Sequence, residues 1–204
     1  MINILDYGAG NLTSVRLAFE RLGTTPRILT EASQYQGGRI LFPGVGSAAS
    51  GMAGVKARGF DRLLQDAIKA STPVLGICLG MQLLLSSSEE DGHTEGLNLI
   101  PGVCKRFDRA KEPTAKIPHM GWNTLQLNHH PLFDGLQQND AVYFVHSYFV
   151  MPNNAEHTLA TTQYCGETFT SAIGYRNLCA MQFHPERSGA VGARLLENFL
   201  HWNP

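Results

Sequence analysis

A cysteine flanked by glycines, in the run Gly76-Ile-Cys-Leu-Gly80, indicates nucleophilic chemistry more clearly than any other feature of the sequence. The apolar residues before it read as a strand, and residues 79–85 are compatible with a helix. Small residues two positions before and after a nucleophile suit a sharp strand-to-helix turn, because larger side chains would collide there. Such a turn places the thiol of Cys78 at a helix N-terminus, where partial positive charge stabilises a thiolate. Because buried free cysteines are common, the interpretation depends on finding a base.

His184 and Glu186 provide a candidate base and its orienting carboxylate. They lie two residues apart, so an extended backbone points both side chains the same way, and Pro185 fixes the turn between them. A carboxylate beside an imidazole holds its tautomer and stabilises the imidazolium. Cys78 and His184 both end predicted strands, and active groups of open α/β sheets collect at the carboxyl ends. The sequence therefore predicts a triad of a nucleophile, a general base and acid, and an orienting carboxylate.

The run Pro43-Gly-Val-Gly46 follows another predicted strand and is a candidate oxyanion site. Glycines let backbone N–H groups turn toward a ligand without interference from side chains. We expect one donor from the backbone of Gly44, Val45 or Gly46 and a second from the N–H of Leu79, directly after the nucleophile. A glycine-rich turn is more often only a turn, so this interpretation rests on its position.

The elements that must position these groups alternate between strand and helix in the N-terminal half. Strands are predicted at Ile2–Leu5, Arg39–Phe42 and before Cys78, and helices at Leu12–Leu22 and around Phe60 to Ile68. This alternation predicts a parallel sheet covered by helices. The second half suggests short strands in an antiparallel or mixed extension, at Val103–Phe107, Asn123–Leu127, Val142–Tyr148, His157–Thr161, Phe169–Tyr175 and Leu178–Phe183, before a closing helix over Ser188–His201. The prediction is one α/β domain over residues 1–204.

Composition excludes several classes of function. The 204 residues carry a formal net charge of -1, and no basic block is present, which argues against non-specific nucleic-acid binding. No apolar run approaches the roughly 20 residues that span a bilayer, and the N-terminus lacks the pattern of a signal peptide. The four cysteines have no paired spacing. A cytoplasmic, reduced protein is therefore expected.

Two alternative ligands are disfavoured by spacing. The run Asp6-Tyr-Gly-Ala-Gly-Asn11 lacks the third glycine of a dinucleotide-binding fingerprint, because position 13 is threonine. His129 and His130 have no companion ligands at the spacings of a zinc site. We therefore expect neither a cofactor nor a metal.

The run Gly76–Gly80 together with His184-Pro-Glu186 resembles the class I glutamine amidotransferases of the triad type, and the resemblance covers the whole chain. More specifically, five runs resemble the glutaminase subunits of imidazole glycerol phosphate synthases: Asp6-Tyr-Gly-Ala-Gly-Asn-Leu, Pro43-Gly-Val-Gly, Lys116-Ile-Pro-His-Met-Gly-Trp-Asn123, Tyr143-Phe-Val-His-Ser-Tyr148 and Gln182-Phe-His-Pro-Glu-Arg-Ser188. The resemblance implies a flavodoxin-like, open, mainly parallel mixed sheet flanked by helices.

The resemblance also implies an activity. Cys78 would attack the side-chain amide of glutamine, His184 would protonate the leaving ammonia, and water would release glutamate from the thioester. Substrate contacts are implied for Gln82, Glu95, Ser147 and Tyr148. Ammonia would pass within a heterodimer to a (β/α)8-barrel cyclase subunit, which makes imidazole glycerol phosphate and an aminoimidazole carboxamide ribotide in histidine biosynthesis.

A partner of this kind needs a docking surface, for which the sequence offers several candidates. Trp122 and His119 lie in the Lys116–Asn123 run, and aromatic anchors are enriched at interfaces. The alternative is that Trp122 packs in the core. Asn11 is a candidate contact or helix cap, and Tyr143 and Arg187 are weaker candidates.

Three other functions remain open from sequence. The chain could supply ammonia to a different synthase, such as one for pyridoxal phosphate or anthranilate, although the Lys116–Asn123 and Asp6–Leu12 runs argue against it. It could be a catalytically silent binding module, against which the intact triad argues. It could also be a thiol hydrolase or peptidase built on the same turn.

Overall fold

The computed structural model of the chain describes residues 1–10 and 12–204, so the predicted partner contact Asn11 lies outside the described residues. Helices in this part of the chain are α1 Leu12–Arg21, α2 Ala48–Ala57, α3 Phe60–Lys69, α4 Leu79–Leu83 and α5 Gly189–His201. Its strands are β1 Ile2–Leu5, β2 Arg27–Leu29, β3 Arg39–Gly44, β4 Val74–Cys78, β5 Ser87–Ser88, β6 Thr94–Glu95, β7 Gly102–Arg106, β8 His119–Thr124, β9 Gln126–Leu127, β10 Ala141–His146, β11 Tyr148–Pro152, β12 Thr158–Tyr164, β13 Glu167–Tyr175 and β14 Leu178–Met181.

The central sheet has a parallel half, in the order β2-β1-β3-β4-β14, and a largely antiparallel extension through β13, β11 and β7. β8 and β10 form a separate antiparallel hairpin. The predicted α/β architecture with an antiparallel extension is thus confirmed. The strand that carries Cys78 lies between β3 and β14, so the three catalytic segments of the sequence leave the sheet side by side.

Helices cover both faces of the sheet and bury two apolar clusters. α1 and α5 contribute Phe19 and Phe199 to one cluster, whereas α2 and α3 contribute Met52 and Leu64 to the other. α1 ends at Arg21, one residue before the predicted boundary. Gly23 follows with a φ of 77°, which suits the left-handed conformation, and the N–H of Thr24 closes the turn on the carbonyl of Phe19. In the described residues, no helix has the length and apolarity required to cross a membrane.

Several predicted boundaries differ from the structure. β2 and α2 were not predicted, because neither segment has a clear apolar period. The predicted strand Val142–Tyr148 is two strands, since Ser147 separates β10 of the hairpin from β11 of the main sheet. The predicted strand over Asn123–Leu127 is likewise divided between β8 and β9. These breaks place residues 146–148 at the junction of the two sheets, beside the end of β4.

Candidate active site

The nucleophile lies on the sharp turn that the sequence predicts. β4 ends at Cys78, which has φ 53° and ψ -110°, and α4 begins at the next residue. A Cβ on Gly80 would overlap the carbonyl oxygen of Phe42, and one on Gly76 would lie 2.9 Å from the Cβ of Ala180. A non-glycine residue with positive φ costs about 1–3 kcal/mol and persists where its surroundings hold it. The two glycines therefore permit the close packing that fixes Cys78 in this conformation.

His184 and Glu186 form the buried pair that the sequence predicts. The Nδ1 of His184 lies 2.8 Å from Oε1 of Glu186, and both side chains are almost fully buried. Two hydrogen bonds fix the backbone of this turn. The N–H of His184 donates to the carbonyl of Tyr143, and the hydroxyl of Ser188 donates to the carbonyl of His184. His184 leaves β14 next to the end of β4. Because Nδ1 is engaged by Glu186, the other ring nitrogen, Nε2, is the one that can exchange a proton with the reacting groups.

The electrostatics of this pair favour a protonated imidazole. Burial lowers the pKa of His184, but the thiol of Cys78 and the carboxylate of Glu186 outweigh it and raise the pKa to about 10. Nε2 has no partner at hydrogen-bond distance within the described residues, yet the thiol is close enough to exert this effect. An imidazolium beside a thiol favours the thiolate and can later donate a proton to a leaving group.

A cavity of about 310 Å³ opens in front of the nucleophile. It brings together most of the predicted substrate and oxyanion residues, and its lining is Val45, Gly46, Cys78, Leu79, Gln82, Glu90, Pro118, Val145, His146, Ser147 and Tyr148. Gly44 lies on the other side of the same strand, in a small gap shared with His184 and Glu186. The cavity is large enough for a free amino acid, whose carbonyl carbon would have to approach the sulfur.

The acidic residue among those that line this cavity is Glu90, whereas the substrate contact predicted from sequence is Glu95, and that role of Glu95 stays a prediction. Glu95 is exposed on β6 and does not line the cavity. Glu90 is half-buried, its Oε2 accepts a hydrogen bond of 2.7 Å from the N–H of Ala48, and burial raises its pKa. Glu90 lies in a run of three acidic residues, which gives no local signal of a cavity contact. The contact depends on α2, which was not predicted.

The candidate oxyanion strand has one predicted donor engaged elsewhere. The N–H of Val45 donates to the carbonyl of Ala9 at 3.1 Å, so it is not directed at the cavity. The loop before α1 packs against this strand so closely that a Cβ on Gly10 would lie 2.8 Å from Cγ2 of Val45. Leu79 opens α4, where first-turn amides have no partner within the helix. The N–H of Val45 is therefore engaged outside the cavity, whereas the N–H of Leu79 stays a predicted oxyanion donor.

Three of the candidate interface residues form an exposed aromatic and cationic cluster. Trp122 is 57% exposed, which contradicts the alternative of a core tryptophan. Its ring contacts Tyr143 edge-on with 6.2 Å between centroids, and the guanidinium of Arg187 lies 4.5 Å from the centroid of Tyr143. His119 is different, because it is 3% exposed and stacks on Phe144, so a surface contact through its side chain is contradicted by its burial.

His130, one of the two histidines weighed as zinc ligands, has a structural role. The Nδ1 of His130 accepts a hydrogen bond from the N–H of Leu132 and caps a short 3-10 turn, and its Nε2 lies 3.7 Å from the sulfur of Cys179. Within residues 1–10 and 12–204, no group of three or more His, Cys, Asp or Glu side chains could hold a metal ion.

A nucleophile elbow at the end of a parallel strand, with a His–Glu pair on the neighbouring strand, defines a class of hydrolytic thiol enzymes. The family model of the class-I glutamine amidotransferases matches residues 3–202, and the chain belongs to this family. It is 44% identical over 204 residues to the imidazole glycerol phosphate synthase subunit HisH of Syntrophotalea carbinolica, covering 98% of each chain. It is 43% identical over 201 residues to the subunit of the same name from Sulfurimonas denitrificans, covering 98% of this chain and 97% of that one.

Solved structures show the same fold at much lower identity. A glutamine amidotransferase crystal structure superposes with a TM-score of 0.75 at 17% identity and covers 98% of this chain and 97% of that chain. The structure of PurLQS from Thermotoga maritima gives a TM-score of 0.71 at 15% identity, again covering 98% and 97%. These structures show that the fold is shared over essentially the whole chain.

Proposed function

We propose that this chain hydrolyses glutamine to glutamate and ammonia through Cys78, His184 and Glu186. The ammonia passes to a (β/α)8-barrel cyclase subunit, which makes imidazole glycerol phosphate and aminoimidazole carboxamide ribotide in histidine biosynthesis in the cytoplasm. The observation that carries the proposal is the position of Cys78, which has positive φ and lines the cavity beside the His184–Glu186 pair. The names of the HisH relatives support the choice of synthase.

The geometry suits a two-step displacement. The thiolate of Cys78 attacks the side-chain carbonyl carbon of glutamine, and a C–S bond forms as the carbonyl oxygen becomes an oxyanion. Protonated His184 gives its proton to the amide nitrogen, the C–N bond breaks, and ammonia leaves. His184 then removes a proton from water, whose oxygen attacks the thioester, and glutamate and the thiolate are released. Glu186 stabilises the imidazolium throughout.

The cavity offers recognition for an amino acid. Among its described lining residues, Glu90 carries a carboxylate that can pair with the α-ammonium group of the substrate. His146 is held neutral, because burial lowers its pKa to about 3. The backbone around Ser147 and Tyr148 closes the opposite wall. A small zwitterion with a terminal amide satisfies this arrangement better than an extended peptide would.

The hydrogen bond between Val45 and Ala9 suggests control by the partner. Rotation of the Val45 peptide group would turn its N–H into the cavity, at the cost of the bond to the carbonyl of Ala9. We propose that docking of the cyclase provides contacts that favour the rotated form. The exposed cluster is linked to the triad through Tyr143, whose carbonyl accepts the N–H of His184 and whose own N–H donates to Ser188.

Replacing Trp122 with alanine tests the docking surface. Affinity for the cyclase subunit is expected to fall at least about tenfold, since a large aromatic anchor typically contributes about 2 kcal/mol or more to binding. Stimulation of glutamate release by the cyclase should fall with it. The thermal midpoint should change little, because the side chain is 57% exposed. Titration of glutamate release against cyclase concentration measures the affinity and the stimulation, and thermal unfolding measures the midpoint.

Met151→Ala is the matched control, since Met151 is also an exposed large apolar side chain but lies on β11 of the main sheet. It should leave affinity and stimulation unchanged. If Trp122→Ala retains full affinity and full stimulation, the docking surface lies elsewhere. If the isolated wild-type chain already releases glutamate as fast as the complex does, control by the partner is wrong.

A further inference from the structure

Gln182 is a fully buried amide that touches the nucleophile. Its Nε2 lies 3.6 Å from the sulfur of Cys78, a distance at which an N–H can donate to sulfur. Gln182 directly follows β14, whose Met181 pairs with Ile77 of β4, so the next position on each strand brings Gln182 beside Cys78. The triad chemistry described above makes no use of this contact.

The orientation of the amide is fixed by a chain of hydrogen bonds that ends on a backbone carbonyl. The Nε2 of Gln82 lies 3.2 Å from the carbonyl oxygen of Tyr148, which can only accept, so this atom must be the nitrogen. The same Nε2 lies 3.1 Å from Oε1 of Gln182 and donates to it. The oxygen of Gln182 therefore faces Gln82, and its nitrogen faces the sulfur.

A buried histidine pair holds the same carbonyl from the other side. The Nδ1 of His146 lies 2.7 Å from the carbonyl of Tyr148 and must donate to it, which leaves Nε2 as an acceptor. The Nδ1 of His119 lies 3.1 Å from that Nε2 and donates to it. Burial lowers the pKa of both rings, to about 4 for His119 and about 3 for His146, so the pair stays neutral. His146 and Gln82 thus both donate to the Tyr148 carbonyl, which is a fixed acceptor, and from Gln82 the donors run through Gln182 to the sulfur of Cys78.

We propose that Gln182 is a further catalytic residue, whose amide N–H donates to the thiolate of Cys78. A hydrogen bond to an ionised group is stronger than one to a neutral group, so the contact stabilises the thiolate more than the thiol. It therefore assists the nucleophile before attack and the leaving sulfur when the thioester breaks. The chemical step rests on the proposed function, but the contact itself concerns only the thiol.

Alkylation of Cys78 by iodoacetamide, followed against pH, tests the contact without glutamine. In this reaction the thiolate forms a C–S bond and iodide leaves, so the rate reports the thiolate fraction. Gln182→Met keeps the length of the side chain and removes the donor. We expect the inflection of the rate profile to move up by about one pH unit, and the rate at neutral pH to fall about tenfold. Cys78 interacts electrostatically with His184, Tyr7 and Cys104, and Glu90 lines the same cavity; all four titratable groups are retained in the variant.

Gln182→Asn is a second variant, which keeps an amide but is one methylene too short to reach the sulfur, and we expect a shift in the same direction. Ser171→Ala is the matched control, since Ser171 is a buried polar residue on the adjacent strand and its carbonyl pairs with the N–H of Gln182. It should leave the inflection unchanged. Mass spectrometry assigns the label to Cys78, and circular dichroism shows whether each variant is folded.

An unshifted inflection in both Gln182 variants would overturn the proposal, even if their rates were lower, because a purely structural role alters access and not the thiolate fraction. A shift in Ser171→Ala equal to that in Gln182→Met would overturn it as well. If the Gln182 variants shift as expected but the wild-type complex fails to hydrolyse glutamine, the contact stands and the proposed function is contradicted, so the two failures are distinguishable.

Discussion

The Cys78→Ser variant is expected to lose glutamine-dependent synthesis by at least about a thousandfold, the scale on which removal of a nucleophile acts. A serine hydroxyl fits the same turn, but it is far less acidic than a thiol and is a poor nucleophile beside an imidazole that is already protonated. The same complex supplied with free ammonia should retain its synthetic rate, since the cyclase reaction does not use the thiol. Glutamate release and formation of the cyclase product, measured in parallel, separate the two activities.

The matched control for this variant is Cys179→Ser, which alters a buried thiol on the neighbouring strand β14. It should preserve glutamine-dependent synthesis in folded protein. Loss of both the glutamine-dependent and the ammonia-dependent reactions in Cys78→Ser would mean that assembly is damaged. Retention of glutamine-dependent synthesis would remove Cys78 from the mechanism.

Gly80→Ala is expected to lower the free energy of unfolding by about 3 kcal/mol or more, the upper range for overpacking a core. The added Cβ would overlap the carbonyl oxygen of Phe42, which is a backbone atom of the buried central strand β3 and not the end of a flexible side chain. Alanine is the better helix former by about 1 kcal/mol, so intrinsic propensity alone would predict stabilisation in α4. Because the steric cost of this overlap exceeds the gain in helix propensity, we expect the substitution to lower the free energy of unfolding. Denaturant unfolding measures the difference.

Gly23→Ala provides a comparison in open space. Among the described residues, apart from the two chain neighbours, none lies within 4 Å of the position that an added Cβ would take. Because φ is 77°, the cost should be only the left-handed strain of about 1–2 kcal/mol. Equal stability of Gly80→Ala and the wild type would show that the elbow is not closely packed against β3. The interpretation of the Gly76–Gly80 run would then lose its physical basis.

The sequence carried most of the information about the parallel half of the fold. Apolar runs such as Ile2–Leu5 are strands that are buried on both faces, and such runs differ clearly from the amphipathic period of α1. The sequence was less informative where the bounds of a strand depend on the strand with which it pairs. Ser147 divides one apolar run between two sheets, which no local pattern indicates.

The catalytic groups were predictable because they lie at or just after the ends of strands that the sequence pattern indicates. Cys78, His184 and Glu186 each follow a strand in sequence, and the geometry of a parallel sheet gathers such positions at one edge. Glu90 and Gln182 carry no comparable signal. Glu90 enters the cavity through a cap on α2, and Gln182 reaches the sulfur through the register between two strands, across a sequence separation of 104 residues. Contacts of this kind need the folded chain.

Of two interface candidates on the same strand, one is exposed and the other is buried. Trp122 lies on the exposed face of β8, whereas His119 on the same strand points into the core, because side chains alternate along a strand. The odd spacing between residues 119 and 122 places the two side chains on opposite faces. The Lys116–Asn123 run therefore combines an exposed docking candidate with a buried support for the cavity wall.

Labelling by a diazo-ketone analogue of glutamine tests most directly whether Cys78 is the nucleophile that receives glutamine. All four cysteines are free and buried, but Cys78 is the one that is among the described lining residues of the cavity. Burial raises the pKa of Cys104 and Cys179 well above the ordinary thiol range. Peptide mass spectrometry of the complex should find one adduct, on Cys78, and glutamine in excess should protect it. Labelling of Cys104, Cys165 or Cys179, or no adduct with the partner present, would contradict the mechanism.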